Sequence, residues 1–178
     1  RLQLQSPAKL NLMLHITGRL ADGYHELQTV FQFIELYDQL QFEITDDGSI
    51  SRPQGAMDIA EDDDLVVRAA RLLQDRYRVS SGVRIQLDKH IPVGGGLGGG
   101  SSDAAATLLA LARLTAPTTS TDGRDPGIDL HALAGGLGSD VPFFLDPRPA
   151  LGTGRGERLE PIASTLRARV VLLNPGFP

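Results

Sequence analysis

Residues 92–105 read Pro-Val-Gly-Gly-Gly-Leu-Gly-Gly-Gly-Ser-Ser-Asp-Ala-Ala, and this stretch decides how the rest of the chain is interpreted. Six of the nine positions from Gly94 to Ser102 are glycine, and a run rich in alanine and leucine follows at once. Glycine lets a backbone adopt positive φ and approach a ligand closely. The first turn of a following helix supplies N–H groups without helical partners and the positive end of a dipole. Residues 92–102, the glycine loop, therefore predict an anion site, most often a phosphate site.

Three other kinds of glycine loop, and a plain connector, are alternatives to this interpretation. Gly94, Gly96 and Gly99 satisfy the dinucleotide pattern, but that fold also needs an acidic residue at the end of the next strand. The stretch after Leu114 is instead a loop rich in threonine and proline. A Walker A loop needs a lysine after its last glycine, whereas no lysine follows Lys89, and the protein-kinase motifs are absent from the sequence. A flexible connector gives no reason for a Ser-Ser pair and a strong helix directly after it.

Composition and charge limit the class of protein. The 178 residues are 41% hydrophobic and 22% charged, which suits one domain with a core and part of a second. The net charge of -5 gives no basic footprint for nucleic acid, and no apolar run approaches the ~20 residues of a membrane helix. We therefore expect neither a nucleic-acid nor a membrane partner. The absence of cysteine excludes disulfides and thiolate metal sites, and it fits a reducing cytoplasm, where we expect the protein.

The pattern of apolar residues predicts an α+β fold. Alternation over residues 2–17 predicts a strand or hairpin, with Lys9 and Asn11 side by side on its polar face. Further strands are predicted over residues 27–34, 39–45, 83–87 and 170–173, and after the loop 138–144. Turns or loops are predicted at residues 21–23, 46–48, 115–127 and 152–156. Helices are predicted after the acidic run 61–64, over residues 101–114, and from Asp129 to about Gly136.

Five segments, spread in order along the chain, together resemble one protein family. The pattern Pro92-x-x-x-Gly96-Leu97-Gly98-x-x-Ser101-Ser102-x-Ala104-Ala105 resembles the nucleotide-phosphate loop of the GHMP superfamily: galactokinase, homoserine kinase, mevalonate kinase and phosphomevalonate kinase. Four more segments resemble the branch that phosphorylates the 2-hydroxyl of 4-diphosphocytidyl-2-C-methyl-D-erythritol in non-mevalonate isoprenoid synthesis. They are Ser6-Pro7-Ala8-Lys9-Leu10-Asn11-Leu12, Asp22-Gly23-Tyr24-His25-Glu26-Leu27, Gly138-Ser139-Asp140-Val141-Pro142-Phe143 and Gly152-Thr153-Gly154-Arg155-Gly156-Glu157.

The resemblance implies a fold and a domain organisation. It implies a ribosomal-protein-S5-like, ATP-binding N-terminal domain, which we place over residues 1–149. We expect residues 150–178 to begin a second α+β domain. Because the strand pattern over 170–173 is followed by Asn174-Pro175-Gly176, a turn that normally leads to a further element, we also expect this to be a truncated form.

The resemblance assigns the glycine loop to ATP. The implied ATP-binding residues are Pro92, Val93, Gly94, Gly95, Gly96, Leu97, Gly98, Gly99, Gly100, Ser101 and Ser102, with Leu65 and Lys89 lining the adenosine pocket. Asp64 stands where family members commonly carry asparagine, and it is also suited to cap the helix after it. Both serines can contact phosphate or Mg²⁺, Ser101 in particular, or can cap their own helix. No His/Asp spacing predicts a dedicated metal cage, so Mg²⁺ would arrive with ATP.

The resemblance makes Lys9 and Asp140 the catalytic pair. On the residues alone, Asp140 could accept the proton of a substrate hydroxyl or stabilise a turn after Gly-Ser. A lone strand lysine is usually solvated, but an ammonium beside Asp140 would keep that carboxylate ionised. The resemblance also places Asn11 against the substrate and gives Tyr24 and His25 the recognition of cytosine, by stacking and hydrogen bonds. Without the resemblance, Tyr24 is interpreted as a packed ring and His25 as a surface side chain.

Two other functions stay open on the sequence. One is a different kinase of the superfamily, acting on mevalonate or homoserine, although the Tyr24-His25 pair argues against it. The other is a non-catalytic nucleotide-binding module, because the family's second domain would lie beyond residue 178. The sequence gives no indication of the oligomeric state.

Overall fold

The computed structural model describes residues 1–19, 21, 23–54, 59–60, 62–115, 128–146, 148–164 and 166–174. In these ranges a six-stranded sheet packs against three α-helices, which confirms the predicted α+β class. The strands are β1 (Leu2–Arg19), β2 (His25–Thr45), β3 (Ile50–Gln54), β4 (Gly82–Asp88), β5 (Ala150–Thr153) and β6 (Arg158–Pro161). The helices are α1 (Leu65–Tyr77), α2 (Gly99–Thr115) and α3 (Leu130–Leu137), and a 3₁₀ turn spans Val141–Leu145.

A long antiparallel hairpin of β1 and β2 forms the centre of the sheet. β1 pairs with β2 along almost its whole length, with irregularities of register after Pro7, Asn11 and Ile16. The opposite edge of β2 is shared, since residues 39–45 pair with β4 and residues 29–31 pair with β5. β3 extends the sheet beside β4, and β6 extends it beside β5. The single strand β2 therefore joins two smaller groups of strands.

The core lies between this sheet and helices α1 and α2. Leu40, Phe42 and Ile85 project from the strands and are at most 1% exposed. Full burial of each such side chain contributes roughly 1.5–3 kcal/mol. The buried side of α2 includes Ala104, Ala105, Ala106 and Ala110, and small side chains let a helix lie close to its neighbours. The first turn of α2 is thereby held against β1 and α1.

Local signals in the sequence located the helices well. The predicted helices are confirmed as α1, α2 and α3, with α2 beginning two residues earlier than expected, at Gly99. Asp64 caps α1 by accepting the Val66 N–H at 2.8 Å, and Asp129 caps α3 by accepting the Ala132 N–H at 3.0 Å. None of the helices within the described ranges is long and apolar enough to cross a membrane.

Four predicted strands differ from the structure. The strands predicted over 27–34 and 39–45 form one strand, β2, because the residues between them stay paired with β1. The segment 138–144 leads into a 3₁₀ turn with Pro142 in its first turn, so the next strand starts only at Ala150. The strand predicted over 170–173 is wrong: in the described part of the chain these residues have no strand partner, and Leu173 is 93% exposed.

The glycine-rich turn predicted over 152–156 joins β5 to β6, and both strands belong to the main sheet. The sheet therefore continues past the domain boundary predicted at residue 149. The bend predicted at 46–48 is present. Asp22, in the turn predicted at 21–23, and residues 116–127 of the predicted loop lie outside the described residues.

Candidate active site

A first groove, of about 330 Å³, runs between the glycine loop and the start of α1. Its walls are residues 92–101, Ile59, Asp63, Asp64, Leu65, Val66, Leu87, Lys89 and Asp103. The structure thus brings together the residues predicted to bind ATP, apart from Ser102. Asp64 is committed to the α1 cap and to an ion pair with Arg52, so its carboxylate is already occupied.

Glycines in the left-handed region shape the backbone of the loop. Gly94, Gly96 and Gly98 have φ of 75°, 70° and 72°, a region in which L side chains are strained. At Gly98 space is also lacking, because a Cβ there would lie 2.7 Å from Phe144 Cζ and 3.0 Å from Lys9 Cγ. The backbone N–H of Lys9 donates to the Leu97 carbonyl at 2.9 Å. The loop therefore lies directly on β1 and on the 3₁₀ turn.

Helix α2 begins in the wall of the first groove. The Gly98 carbonyl accepts the Ser102 N–H at 2.9 Å, so the N–H groups of Gly99, Gly100 and Ser101 precede the helical hydrogen-bond ladder. These donors and the positive end of the helix dipole favour an anion in the groove. Ser101 lines the groove, whereas Ser102 is 1% exposed and its Oγ has no hydrogen-bond partner in the described part of the chain.

A buried ion network supports both ends of the glycine loop. Before the loop, Lys89 Nζ lies 2.5 Å from Asp38 Oδ2 of β2. The other carboxylate oxygen of Asp38 accepts the backbone N–H groups of His90 and Ile91, at 2.6 and 2.8 Å. Asp38 is fully buried, so these contacts replace the water that the charge has lost. They fix the chain where it leaves β4 and enters the loop.

After the loop, the same lysine reaches the first turn of α2. Lys89 Nζ lies 2.9 Å from Asp103 Oδ2, and Asp103 Oδ1 accepts the Ser6 hydroxyl at 2.5 Å. Burial raises the pKa of Asp103 to about 6, although Lys89 and the Ser6 hydrogen bond act to lower it. Burial acts to lower the pKa of Lys89, but the charges and hydrogen bonds of Asp103 and Asp38 outweigh it and hold that pKa above its usual value. Lys89 therefore stays charged and joins β2 to α2.

Lys9 and Asp140 meet between two elements that are far apart in sequence. Lys9 Nζ of β1 lies 3.3 Å from Asp140 Oδ2, which precedes the 3₁₀ turn. The lysine is 6% exposed and lies over the Phe31 ring, 5.5 Å from its centroid. The Asp140 side chain is 32% exposed and can be reached from solvent. Phe143 stacks on Phe31 with centroids 4.8 Å apart, which anchors the turn that carries Asp140 on β2.

The polar face predicted for β1 faces inward at this point. Lys9 is buried, whereas Leu12, Leu14 and Ile16 of the apolar stripe are 49%, 50% and 63% exposed. A lysine in such a place needs partners that compensate for its lost hydration. Asn11 supplies one, because its Oδ1 accepts from Lys9 Nζ at 2.6 Å.

The orientation of the Asn11 amide is set by a chain of hydrogen bonds. Thr29 of β2 is fully buried, and its hydroxyl donates to the Met13 carbonyl at 2.7 Å. With its one proton used, the Thr29 oxygen can only accept, and it accepts from Asn11 Nδ2 at 2.7 Å. The amide nitrogen therefore faces Thr29 and the amide oxygen faces Lys9.

A second groove, of about 500 Å³, ends beside Asp140. Its walls are Tyr24, His25, Leu27, Gly135, Gly136, Leu137, Gly138, Ser139 and Arg155. Tyr24 is 59% exposed, and the Arg155 guanidinium lies over its ring, 4.1 Å from the centroid. The residues predicted to bind the acceptor thus fall in two places: Tyr24 and His25 in this groove, and Asn11 behind Lys9.

Sequence reasoning missed four residues of this region: Asp38, Asp103, Thr29 and Arg155. Asp38 lies in the gap between the strands predicted over 27–34 and 39–45, so its burial had no signal in the sequence. The other three lie within recognised segments or strands but have no local pattern of their own. Within the described ranges, no group of three or more His, Asp or Glu side chains is placed to hold a metal ion.

Comparisons with known proteins agree with this geometry. Residues 64–146 match the family described as GHMP kinases N terminal domain. A 4-diphosphocytidyl-2-C-methyl-D-erythritol kinase of Thiobacillus denitrificans is 51% identical over 170 residues, which are 96% of this chain and 59% of that protein. The protein of the same name from Chromohalobacter salexigens is 53% identical over 163 residues, 91% of this chain and 52% of its own length.

A solved structure extends the comparison to the fold. The crystal structure of a 4-(cytidine 5'-diphospho)-2C-methyl-D-erythritol kinase superposes with a TM-score of 0.75 at 44% identity. The match covers 91% of this chain and 55% of that one. The chain therefore spans about half the length of the relatives that it matches.

Proposed function

The chain belongs to the GHMP kinase family, and from that premise we propose that it transfers the γ-phosphate of ATP to a hydroxyl group of a small molecule. ATP occupies the first groove and the acceptor occupies the second. The acceptor is 4-diphosphocytidyl-2-C-methyl-D-erythritol, phosphorylated on its 2-hydroxyl. The names of relatives about 50% identical to the chain support this acceptor, as does the placement of Tyr24 and His25 in the second groove.

One observation carries the proposal: the Lys9–Asp140 pair lies between the two grooves. Gly98 of the first groove packs on the Lys9 side chain, and Ser139 of the second directly precedes Asp140. A phosphate held by the glycine loop and a hydroxyl held in the second groove would therefore meet at this pair. Phosphoryl transfer requires that juxtaposition, with the attacking oxygen in line with the leaving group.

Asp140 acts as the general base. Its carboxylate accepts the proton of the acceptor hydroxyl while the hydroxyl oxygen bonds to the γ-phosphorus and the bond from phosphorus to the ADP oxygen breaks. Such proton transfer contributes typically about 10²–10⁴-fold to the rate. Lys9 places a positive charge beside this carboxylate, and Asn11 holds the ammonium in place.

The glycine loop and α2 bind the phosphates. Backbone N–H groups of Gly99, Gly100 and Ser101 supply donors, and the six glycines of the loop let the phosphates approach the backbone. Mg²⁺ fits the same place: Ser101 and Ser102 offer hydroxyl oxygens, and the buried Ser102 Oγ has no partner within the described ranges. When bound with ATP, the ion neutralises phosphate charge. We place the reaction in the cytoplasm, in keeping with a chain of 178 residues without cysteine.

The test is transfer of ³²P from γ-labelled ATP to 4-diphosphocytidyl-2-C-methyl-D-erythritol, with mevalonate and homoserine in parallel. Transfer to the cytidyl acceptor alone is the expected result. Transfer to mevalonate or homoserine instead would show that the acceptor is wrong but the kinase class right. Binding of a non-hydrolysable ATP analogue, without transfer to any acceptor, would favour the nucleotide-binding module.

A further inference from the structure

We infer that Arg155 recognises a phosphate group of the acceptor, so that the second groove selects molecules carrying a phosphate next to an aromatic base. The inference rests on the proposed function, because it concerns the acceptor groove of that reaction. Three observations carry it: how Arg155 is held, where it lies relative to Asp140, and which charges surround it.

The backbone that carries Arg155 is fixed. Arg155 lies in the turn between β5 and β6, between Gly154 with φ of 72° and Gly156 with φ of 107°. Its own N–H donates to Glu157 Oε2 at 2.6 Å, and the Leu27 N–H of β2 donates to the Gly154 carbonyl at 2.7 Å. A side chain on so constrained a turn loses less freedom on binding a ligand than one on a free loop.

Arg155 is also close to the reacting centre. A Cβ on its neighbour Gly156 would lie 3.9 Å from Asp140 Oδ1. On the other side, the guanidinium lies over the Tyr24 ring. Arg155 therefore lies at the face of Tyr24, on a turn whose next residue approaches Asp140.

The surrounding charges leave Arg155 as the place for an anion. Among the described residues that line the second groove, Arg155 is the one lysine or arginine, and His25 belongs to the same wall. The groove also receives the C-terminal end of α3, at Gly135–Leu137, which carries the negative end of a helix dipole, and it ends at Asp140. The net charge of the chain is -5. The end of α3 and Asp140 thus disfavour a phosphate elsewhere in the groove. The guanidinium of Arg155 favours one, because its planar set of N–H donors matches phosphate oxygens.

The experiment compares two ligands, cytidine and cytidine diphosphate, by titration calorimetry without Mg²⁺. The wild-type chain should bind the diphosphate more tightly. In Arg155→Met this preference should fall by roughly tenfold to a hundredfold, the range for a charged hydrogen bond, while the affinity for cytidine changes little. Arg155→Lys should keep part of the preference, because it retains charge without the fork.

The matched control is Arg158→Met, because Arg158 belongs to the adjoining strand, is 78% exposed and is not part of the groove wall. This variant should keep the full preference for the diphosphate. Unchanged affinity for an ATP analogue shows that each variant is folded. A full preference retained in Arg155→Met would overturn the inference and leave the proposed function standing. Binding of neither ligand to a wild-type chain that binds the ATP analogue would contradict the proposed acceptor itself, and the inference with it.

Discussion

The position of a Cβ on Gly98 is 2.7 Å from Phe144 Cζ, so the glycine loop touches the turn that follows Asp140. Lys9 packs on the same glycine from β1. The wall of the nucleotide groove and the proposed base are therefore parts of one packed cluster. A substitution at Gly98 therefore displaces Lys9 or the turn that follows Asp140.

Gly98→Ala should therefore harm both stability and activity. The new methyl group meets a left-handed φ and a collision with Phe144, so the free energy of unfolding should fall by about 2–4 kcal/mol. Gly94→Ala is the matched control, since Gly94 has φ of 75° but nothing within 4 Å of its Cβ position. Its loss should be about 1–2 kcal/mol, from backbone strain alone. Urea unfolding measures the loss of stability in each of the two variants. Equal losses in Gly98→Ala and Gly94→Ala would show that the contact with Phe144 is unimportant.

Asp140→Asn should lower kcat by about 10²–10⁴-fold, because the amide cannot accept the proton of the acceptor hydroxyl. The affinity for an ATP analogue should stay unchanged, since Asp140 does not line the first groove. Asp146→Asn serves as control: Asp146 has a similar side-chain exposure, 35%, but pairs with Arg148 instead. Single-turnover transfer measures the effect, and near-normal turnover in Asp140→Asn would exclude it as the base.

Thr29→Val should slow the reaction although Thr29 touches no reactant. The valine cannot accept the Asn11 amide, so the orientation of Asn11 towards Lys9 loses its support. Leaving a buried donor unpaired costs about 1–3 kcal/mol. If that cost raises the activation barrier at the Lys9–Asp140 pair, kcat falls by roughly tenfold or more. Thr29→Ser, which keeps the hydroxyl, should restore most of the rate. The KM for ATP should change in neither variant; a fall in stability alone, with kcat intact, would limit Thr29 to a structural role.

The buried network predicts a dependence of stability on pH. Since the folded chain holds the pKa of Asp103 at about 6, above its ordinary value of 3.8, it binds more protons than the unfolded chain between those values. The free energy of unfolding should therefore fall as pH rises through this window, by an amount on the order of 1–3 kcal/mol. Above about pH 6 this contribution is fully lost.

Asp103→Asn isolates this contribution, because the amide does not titrate and the variant has every other titratable group of the wild-type chain. The difference in stability between the two proteins should change between pH 4.5 and 7, measured by urea unfolding at each pH. Hydrogen bonds from Thr45 and Ser49 lower the pKa of Asp47 to about 2. Asp47 therefore makes the free energy of unfolding rise with pH, but only below the pH range of this experiment. A pH-independent difference would mean that Asp103 titrates normally.

Local chemistry in the sequence carried the prediction of the helices and of the glycine loop. Capping aspartates and glycine followed by serine act within a few residues, and the structure contains both features at the expected place, whereas the acidic run 61–64 precedes α1 and leaves its first turn without an acidic residue. The meeting of Lys9 with Asp140 has no such signal, because it depends on how β1, β2 and the 3₁₀ turn pack; the family resemblance alone connected them. The continuity of β2 could not be predicted either, since Glu35–Asp38 stay in the strand through pairing with β1.

The buried partners were the hardest to foresee. In the sequence, Asp38 is an acidic residue between two predicted strands, and only the packing of β4 and the glycine loop buries it. Arg155 is a turn residue in the sequence, and only the hairpin of β5 and β6 brings it to Tyr24. Each is defined by a neighbour distant in sequence, which a pattern of spacing does not contain.

The order in which these parts follow one another along the chain has a consequence during synthesis. The residues that line the first groove lie within 59–103, whereas Asp140 and Arg155 come later. A ribosome adds about 5–20 residues per second. The residues that line the first groove therefore leave the exit tunnel seconds before Asp140 and Arg155 are in place. On the proposed function, the residues that line the nucleotide groove are thus synthesised before the residues that use the nucleotide.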